Sequence, residues 1–274
     1  MQINFKSILE NISRAKPLIH CITNVVTAND CANVLLACGS SPIMADAVEE
    51  AADVTANSDG LCINIGTLNE QTIPSMFAGG RKANALSHPV ILDPVGVGVS
   101  ALRRQTVKQL MKEIRFTAVR GNLSEIRTLA EGKNSGRGAD TAELSGEEDQ
   151  DGIIRMAKSF SEQIGAIVVI SGKVDIVADK NRAICIDNGH PMMQKVTGTG
   201  CMLSVVTAAF IAACPENVFE AAAAAVCTMG LAGEIAHKRL KAGEGNMTYR
   251  KNLIDAIYTM TAEQLEQGAR YAMR

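Results

Sequence analysis

The segment Val196-Thr197-Gly198-Thr199-Gly200-Cys201 runs without a break into the apolar stretch MLSVVTAAFIAA. A glycine-threonine loop that opens directly into a helix leaves the first-turn N–H groups unsatisfied and facing outward. The helix dipole adds partial positive charge at the same end. Together these predict an anion site, and the natural anion for it is a phosphoryl group. Gly198 and Gly200 are expected to let a ligand approach the backbone, since no side chain stands in the way. Cys201 occupies the mouth of the loop, where a proton acceptor belongs, and a helix N-terminus is expected to lower its thiol pKa. The competing reading is a glycine turn kept for packing alone.

Phosphoryl transfer needs alignment and charge neutralisation more than covalent help from the protein. Magnesium takes oxygen ligands and keeps several waters. Asp93 and Glu125 are its candidates, each with an ordinary alternative. Asp93 could be a turn acid before Pro94, and Glu125 the third helical residue of a capping box opened by Asn122. Arg120 offers a fixed cation with forked donors suited to phosphate oxygens, against the alternative of a solvated arginine at a strand end. Ser171, just beyond AIVVI, can give a hydroxyl or an N–H to a nucleotide, or simply make a turn. Met44 carries a soft thioether that can pack on a small aromatic ring or fill a core. His20, His88, His190 and His237 are too dispersed for a recognisable metal cluster. Neither a Gly-x-x-x-x-Gly-Lys-Ser/Thr loop nor a Gly-x-Ser-x-Gly elbow is present.

These residues need elements to position them, and the hydrophobic pattern supplies them. Residues 3–15 have helical spacing and stop before Pro17. Short apolar strands are predicted over 18–22, 42–44, 60–65, 89–92, 117–119 and 166–170. Helices alternate with them over 27–37, 48–56, 67–87, 101–114 and 152–163. Residues 175–178 and 183–186 read as a hairpin, 132–150 as a polar mobile loop, and the chain finishes in three long helices. Strand–helix alternation of this kind predicts a mostly parallel α/β sheet with a late antiparallel edge. Ligands of such sheets bind beyond the C-terminal strand ends, where Asp93, Arg120, Ser171 and the glycine loop all fall.

The 274 residues are 47% hydrophobic and 20% charged, enough apolar mass for one large core. With a net charge of −2 and no basic patch, nothing points to nucleic acid. None of the eight cysteines forms a Cys-x-x-Cys pair, and most sit among Ala, Val and Leu. Free buried thiols predict a reducing, cytoplasmic setting. The amphipathic, acid-containing N-terminal stretch does not have the form of a signal peptide. The Ala-rich stretches after Cys201 and Phe219 are expected to be buried helices, not membrane spans.

Taken together, the Gly-Thr-Gly-Cys loop, Asp93-Pro94-Val95-Gly96-Val97-Gly98, Arg120-Gly121-Asn122-Leu123-Ser124-Glu125, His20-Cys21-Ile22-Thr23-Asn24 and Ser41-Pro42-Ile43-Met44 resemble the ribokinase-like superfamily. Within it the chain resembles the hydroxyethylthiazole kinase family, from about Ile8 to about Gln267. Cys201 is the most diagnostic point, since most ribokinase-like kinases resemble one another in having Asp there. The resemblance implies one ribokinase-like domain over residues 1–274, with a mostly parallel central sheet flanked by helices on both faces. It implies ATP as co-substrate, Mg2+, and transfer of the γ-phosphate to the hydroxyl of 4-methyl-5-(2-hydroxyethyl)thiazole for thiamine biosynthesis or salvage. It implies a homotrimer with substrate sites at subunit boundaries. By the same resemblance Cys201 is catalytic, Met44 lies against the thiazole, Gly198 near its hydroxyl and Asn24 beside it. Arg120 and Ser171 fall to ATP, and Asp93 and Glu125 to magnesium. Asp46 departs from the small or His residue of many relatives, which leaves the pocket rim open. The alternatives are a sister kinase for a hydroxymethylpyrimidine or pyridoxal, an ADP-dependent hydro-lyase, and a non-catalytic nucleotide-binding protein. Cys201 opposes the first two; the intact set of site residues opposes the third.

Overall fold

Runs such as LIHCI, GLCIN, VILD and IVVIS have no polar face, so each needs apolar cover on both sides. They receive it in a nine-stranded sheet flanked by helices. The computed structural model describes residues 2–132 and 150–274. In chain order the elements are α1 (Phe5–Ala15), β1 (Leu18–Ile22), α2 (Ala28–Ala37), β2 (Ser41–Ile43), α3 (Val48–Ala56), β3 (Gly60–Asn64) and α4 (Thr72–Ala85). Then come β4 (Val90–Asp93), α5 (Ala101–Glu113), β5 (Ala118–Asn122), α6 (Leu123–Glu131), α7 (Gln150–Ile164), β6 (Ile167–Ser171), β7 (Asp175–Ala178) and β8 (Ala183–Ile186). The chain closes with α8 (Thr199–Ala213), α9 (Val218–Lys238), α10 (Asn246–Tyr258), α11 (Ala262–Gly268) and β9 (Tyr271–Met273).

The strand order is β2-β1-β3-β4-β5-β6-β7-β8-β9. The first six are parallel, and β7, β8 and β9 add on antiparallel. Side chains alternate between two cores, as the pleat requires. Ile19, Cys62, Ile91, Val169 and Ile184 face one core, shared with α1, α2, α8, α9 and α10. Leu61, Ile63, Leu92, Val119 and Val168 face the other, shared with α4, α5, α6 and α7.

Helix α8 is apolar all round because it is covered all round: it touches β1, β3 and β4 on one side and α1, α2 and α9 on the others. Its buried Thr207 hydroxyl donates to the Leu203 carbonyl one turn back, so no polar atom is stranded there. The segment Pro215–Lys238, which contains α9, is long and apolar enough to cross a membrane, yet 78% of its most apolar window is buried inside the molecule. It is a core helix here, as its composition led us to expect.

Most element ends shift by a few residues from expectation, and two larger departures stand out. Strand β5 continues three residues past Val119, because Arg120, Gly121 and Asn122 pair in register with Val169, Ile170 and Ser171. The C-terminal strand β9 was not expected: Tyr271-Ala272-Met273 pairs with Ile186, Cys185 and Ile184. The Tyr271 hydroxyl accepts the Ile3 N–H at 3.1 Å, and its ring meets Phe5 edge-on at 6.2 Å, so the two ends of the chain are stitched together. The loop expected over 132–150 lies, for residues 133–149, outside the described residues.

Candidate active site

At one edge of the sheet, the C-terminal ends of β3, β4, β5 and β6 meet the first turn of α8. Asn64 closes β3 and pairs in register with Asp93, which closes β4. Asn122 closes β5 and pairs with Ser171, which closes β6. Asp93 is fully buried. Its Oδ2 accepts from Asn64 Nδ2 at 2.7 Å and from Ser204 Oγ, on α8, at 2.8 Å. Its Oδ1 has no hydrogen-bond partner, and Arg120 Nη1 is 3.8 Å away. Burial pushes the Asp93 pKa up, opposed by Arg120 and by the two donors on Oδ2.

Arg120 is itself buried. Nη2 donates to Ser171 Oγ at 2.5 Å, while Nε has no partner. A Cβ at Gly200 would lie 2.4 Å from Nη1, so the guanidinium rests directly on the first turn of α8. A Cβ at Gly198, which is left-handed at φ +88°, would lie 2.5 Å from Thr27 Cγ2. The two glycines were expected to admit a ligand to the backbone. On the side a Cβ would occupy, the glycines are covered by Arg120 and Thr27, so a larger residue at either position must displace its neighbour.

Glu125 fills the capping role that the sequence left open to it. It forms the expected capping box: Asn122 Oδ1 accepts from the Glu125 N–H at 2.9 Å, and Glu125 Oε2 accepts from the Asn122 N–H at 2.8 Å. Its other oxygen accepts from the Gly96 N–H at 2.8 Å, tying the Asp93–Gly98 loop to α6. Burial, reinforced by the Asp93 charge, pushes its pKa up to about 7. A buried carboxylate with an orphaned oxygen, Asp93, whose charge raises the proton affinity of a second buried carboxylate, Glu125, suits a divalent cation. Among the described residues no cluster of three or more acid, His or Cys ligands surrounds a common point. Magnesium needs few protein ligands and leaves its remaining positions to water and phosphate.

Cys201, on the first turn of α8, is partly buried. Its Sγ accepts from Asn24 Nδ2 and Asn64 Nδ2, both at 3.3 Å. The expected lowering of its pKa is reversed: burial and then the Asp93 charge raise it, outweighing Thr27, Arg120 and Asn24. The thiol is therefore protonated at neutral pH. Asn24 spends its whole carboxamide inside the protein. Oδ1 accepts from the Thr27 N–H and hydroxyl, and Nδ2 donates to Asn64 Oδ1 and Cys201 Sγ.

The structure thus brings together Asp93, Arg120, Glu125, Ser171, Gly198, Cys201 and Asn24. Met44 stands apart from this hydrogen-bonded group. It follows the edge strand β2 and is 38% exposed, while its neighbours are pinned by His20 Nε2 on the Ala45 carbonyl and Ser75 Oγ on the Asp46 carbonyl. His20 is a satisfied core residue, with Nδ1 on Thr55 Oγ1, and burial lowers its pKa. Sequence reasoning missed Asn64, Ser204 and Arg103. Arg103, on α5, donates to the carbonyls of Ile65, Gly66 and Val95 and so clamps the loops after β3 and β4. The one available signal was Asn64, a polar residue closing the apolar strand GLCIN.

Buried acids, a buried arginine and a helix N-terminus converging on one strand edge define a phosphotransferase of the α/β type, and known folds agree. A hydroxyethylthiazole kinase structure from Pyrococcus horikoshii superposes with a TM-score of 0.88 at 30% identity, covering 98% of each chain. A ribokinase-like superfamily protein from Enterococcus faecalis shares the fold at a TM-score of 0.61 and 15% identity, covering 92% of this chain and 93% of its own. A hydroxyethylthiazole kinase from Clostridium acetobutylicum is 51% identical over 97% of this chain and 98% of its own. The hydroxyethylthiazole kinase family profile matches residues 9–263, and the chain belongs to that family.

Proposed function

We propose that this protein transfers the ATP γ-phosphate to the primary alcohol of 4-methyl-5-(2-hydroxyethyl)thiazole, giving the thiazole phosphate used in thiamine biosynthesis. The observation that carries this reading is the first turn of α8: its N–H groups converge with buried Arg120 and buried Asp93, and Cys201 stands between them. The α8 N-terminus and Arg120 are the donors for the transferring phosphoryl oxygens. Arg120, held at one end by Ser171, presents its remaining donors to ATP. Asp93 Oδ1 and Glu125 would hold Mg2+, which when bound neutralises charge on the phosphates. Gly198 presents its backbone to the substrate hydroxyl. Asn24 acts by holding Cys201, which assists removal of the alcohol proton. Only the thiolate of Cys201 can take that proton, and because burial holds the group as the thiol its contribution is small; in a loose transition state the proton leaves late, so little help is required.

Met44 supports the thiazole reading from the sheet edge. An exposed thioether following β2, and exposed Val25 and Val26 following the paired strand β1, suit a pocket completed by a neighbouring copy. That is the homotrimer we propose, built from single-domain chains spanning 1–274. Eight free cysteines support a cytoplasmic setting. The decisive experiment is an ATP- and Mg2+-dependent assay of the purified protein against the thiazole, hydroxymethylpyrimidine and pyridoxal alcohols. The thiazole alcohol should give the highest kcat/KM, and equal or reversed preference would sink the assignment.

A further inference from the structure

Asn64, like Asn24, engages both ends of its carboxamide within the site. Its Oδ1 accepts from Asn24 Nδ2 at 3.1 Å and from the Gly66 N–H at 2.8 Å. Its Nδ2 donates to Asp93 Oδ2 at 2.7 Å and to Cys201 Sγ at 3.3 Å. A carboxamide has two donors and two acceptor sites, and all of them are used. The orientation is therefore fixed. A flip would set the amide oxygen against a carboxylate and its NH2 against two N–H donors. Packing enforces the same geometry, because a Cβ at Gly66 would fall 2.9 Å from Asn64 Oδ1.

What Asn64 leaves free matters as much as what it holds. With Ser204 it saturates Asp93 Oδ2, and the carboxylate can present only Oδ1 toward Arg120 and the space beyond. The same NH2 group fixes Cys201 Sγ. Asn64 is buried and lies behind both residues, so it reaches a substrate only through them. We propose that Asn64 is a positioning residue for phosphoryl transfer, setting the distance and orientation between the Asp93 carboxylate and the Cys201 thiol. The proposal rests on the kinase reading above.

The test is a double-mutant cycle on kcat and KM with wild type, Asn64→Leu, Asp93→Asn and the double variant. Asn64→Leu keeps the volume and removes every hydrogen bond. It should lower kcat about 10–100-fold, the usual effect of losing a supporting partner, with KM for alcohol and ATP held within about threefold of wild type. Residues acting through one another are non-additive, so the double variant should be no slower than Asp93→Asn alone. Urea unfolding of the four proteins should show the same coupling without any turnover. Losses that multiply in the double variant, or a kcat within about threefold of wild type for Asn64→Leu, overturn the proposal. A KM that rises in step with the fall in kcat also overturns it, since that is the mark of general distortion. Should Asn64→Leu not fold, Asn64→Ser takes its place, its hydroxyl being too short to span Asp93 and Cys201. If wild type prefers another alcohol of the panel, the substrate reading alone falls, and the cycle is run on that alcohol.

Discussion

Cys201 illustrates how two local influences compete on one atom. The helix N-terminus favours a thiolate, but burial and the neighbouring Asp93 charge favour the thiol, and the raised pKa records which prevails. If Cys201 takes the alcohol proton, kcat should climb with pH through the ordinary thiol range and above it. In Cys201→Asp the climb should move to lower pH with activity retained. Cys201→Ser should cost no more than about 10²-fold, the lower end for a general base. An Ala variant with an undiminished single-turnover rate would remove the thiol from the chemistry. Glu125 gives a stability signature instead. Its folded pKa is about 7 against an ordinary value of 4.5. Between those values the folded protein holds a proton that the unfolded chain lacks. Its favourable contribution is thus complete below pH 4.5 and is lost as pH rises through about 7. In metal-free protein, wild type should lose up to roughly 3 kcal/mol more than Glu125→Gln over that window. Matching pH slopes in urea unfolding would contradict the shifted carboxyl. The same variant should lower kcat at saturating Mg2+. Arg120→Ala should raise KM for ATP more than KM for the alcohol, since a charge-assisted phosphate contact contributes roughly 1.5–3 kcal/mol.

At the scale of elements, the first turn of α8 is a seat with two occupants. Gly198→Ala meets both a left-handed backbone and Thr27 Cγ2, so it should cost about 1–2 kcal/mol or more and shift α8 itself. Gly200→Ala displaces the Arg120 guanidinium and should act mainly through ATP, with KM for ATP rising and thermal stability nearly kept. An effect of Gly200→Ala confined to the alcohol would mean that Arg120 does not serve the nucleotide. Most of this architecture was legible in the sequence. Apolar runs closing in Asp93 or Ser171 mark buried parallel strands and their active ends, and Asn122 with Glu125 spelled out a capping box. Other parts were not legible, for identifiable reasons. Asn64 stands out only as a polar residue at the end of an apolar strand, and what it does becomes visible only when register sets it opposite Asp93. Ser204 sits in a helix whose pattern is uniformly apolar, where a single serine carries no directional signal. Strand β9 is three residues with no alternation to read, and its existence depends on an edge that β8 provides. The Arg120-Gly121 pair looked like a strand's end because a charged residue and then a glycine break the apolar run, whereas pairing with β6 carried the strand onward.

The whole molecule divides its labour by sheet edge. Helices α8 and α9 form a thick apolar slab against one face, and the polar chemistry gathers where the parallel strands end. Sedimentation of the purified chain should give a trimer, and Met44→Ala should raise KM for the thiazole alcohol without changing KM for ATP. The stitched chain ends carry one more consequence. Because Ile3 and Phe5 already lie against Tyr271, the backbone is nearly a closed ring, held by a hydrogen bond and an aromatic pair where a peptide linker could run. A circularly permuted version, joined there and opened in the exposed Lys241–Gly245 turn between α9 and α10, keeps every strand pairing and severs no contact of the site. Such a permutant should fold and retain kinase activity, making the order in which this fold is threaded separable from the chemistry it performs.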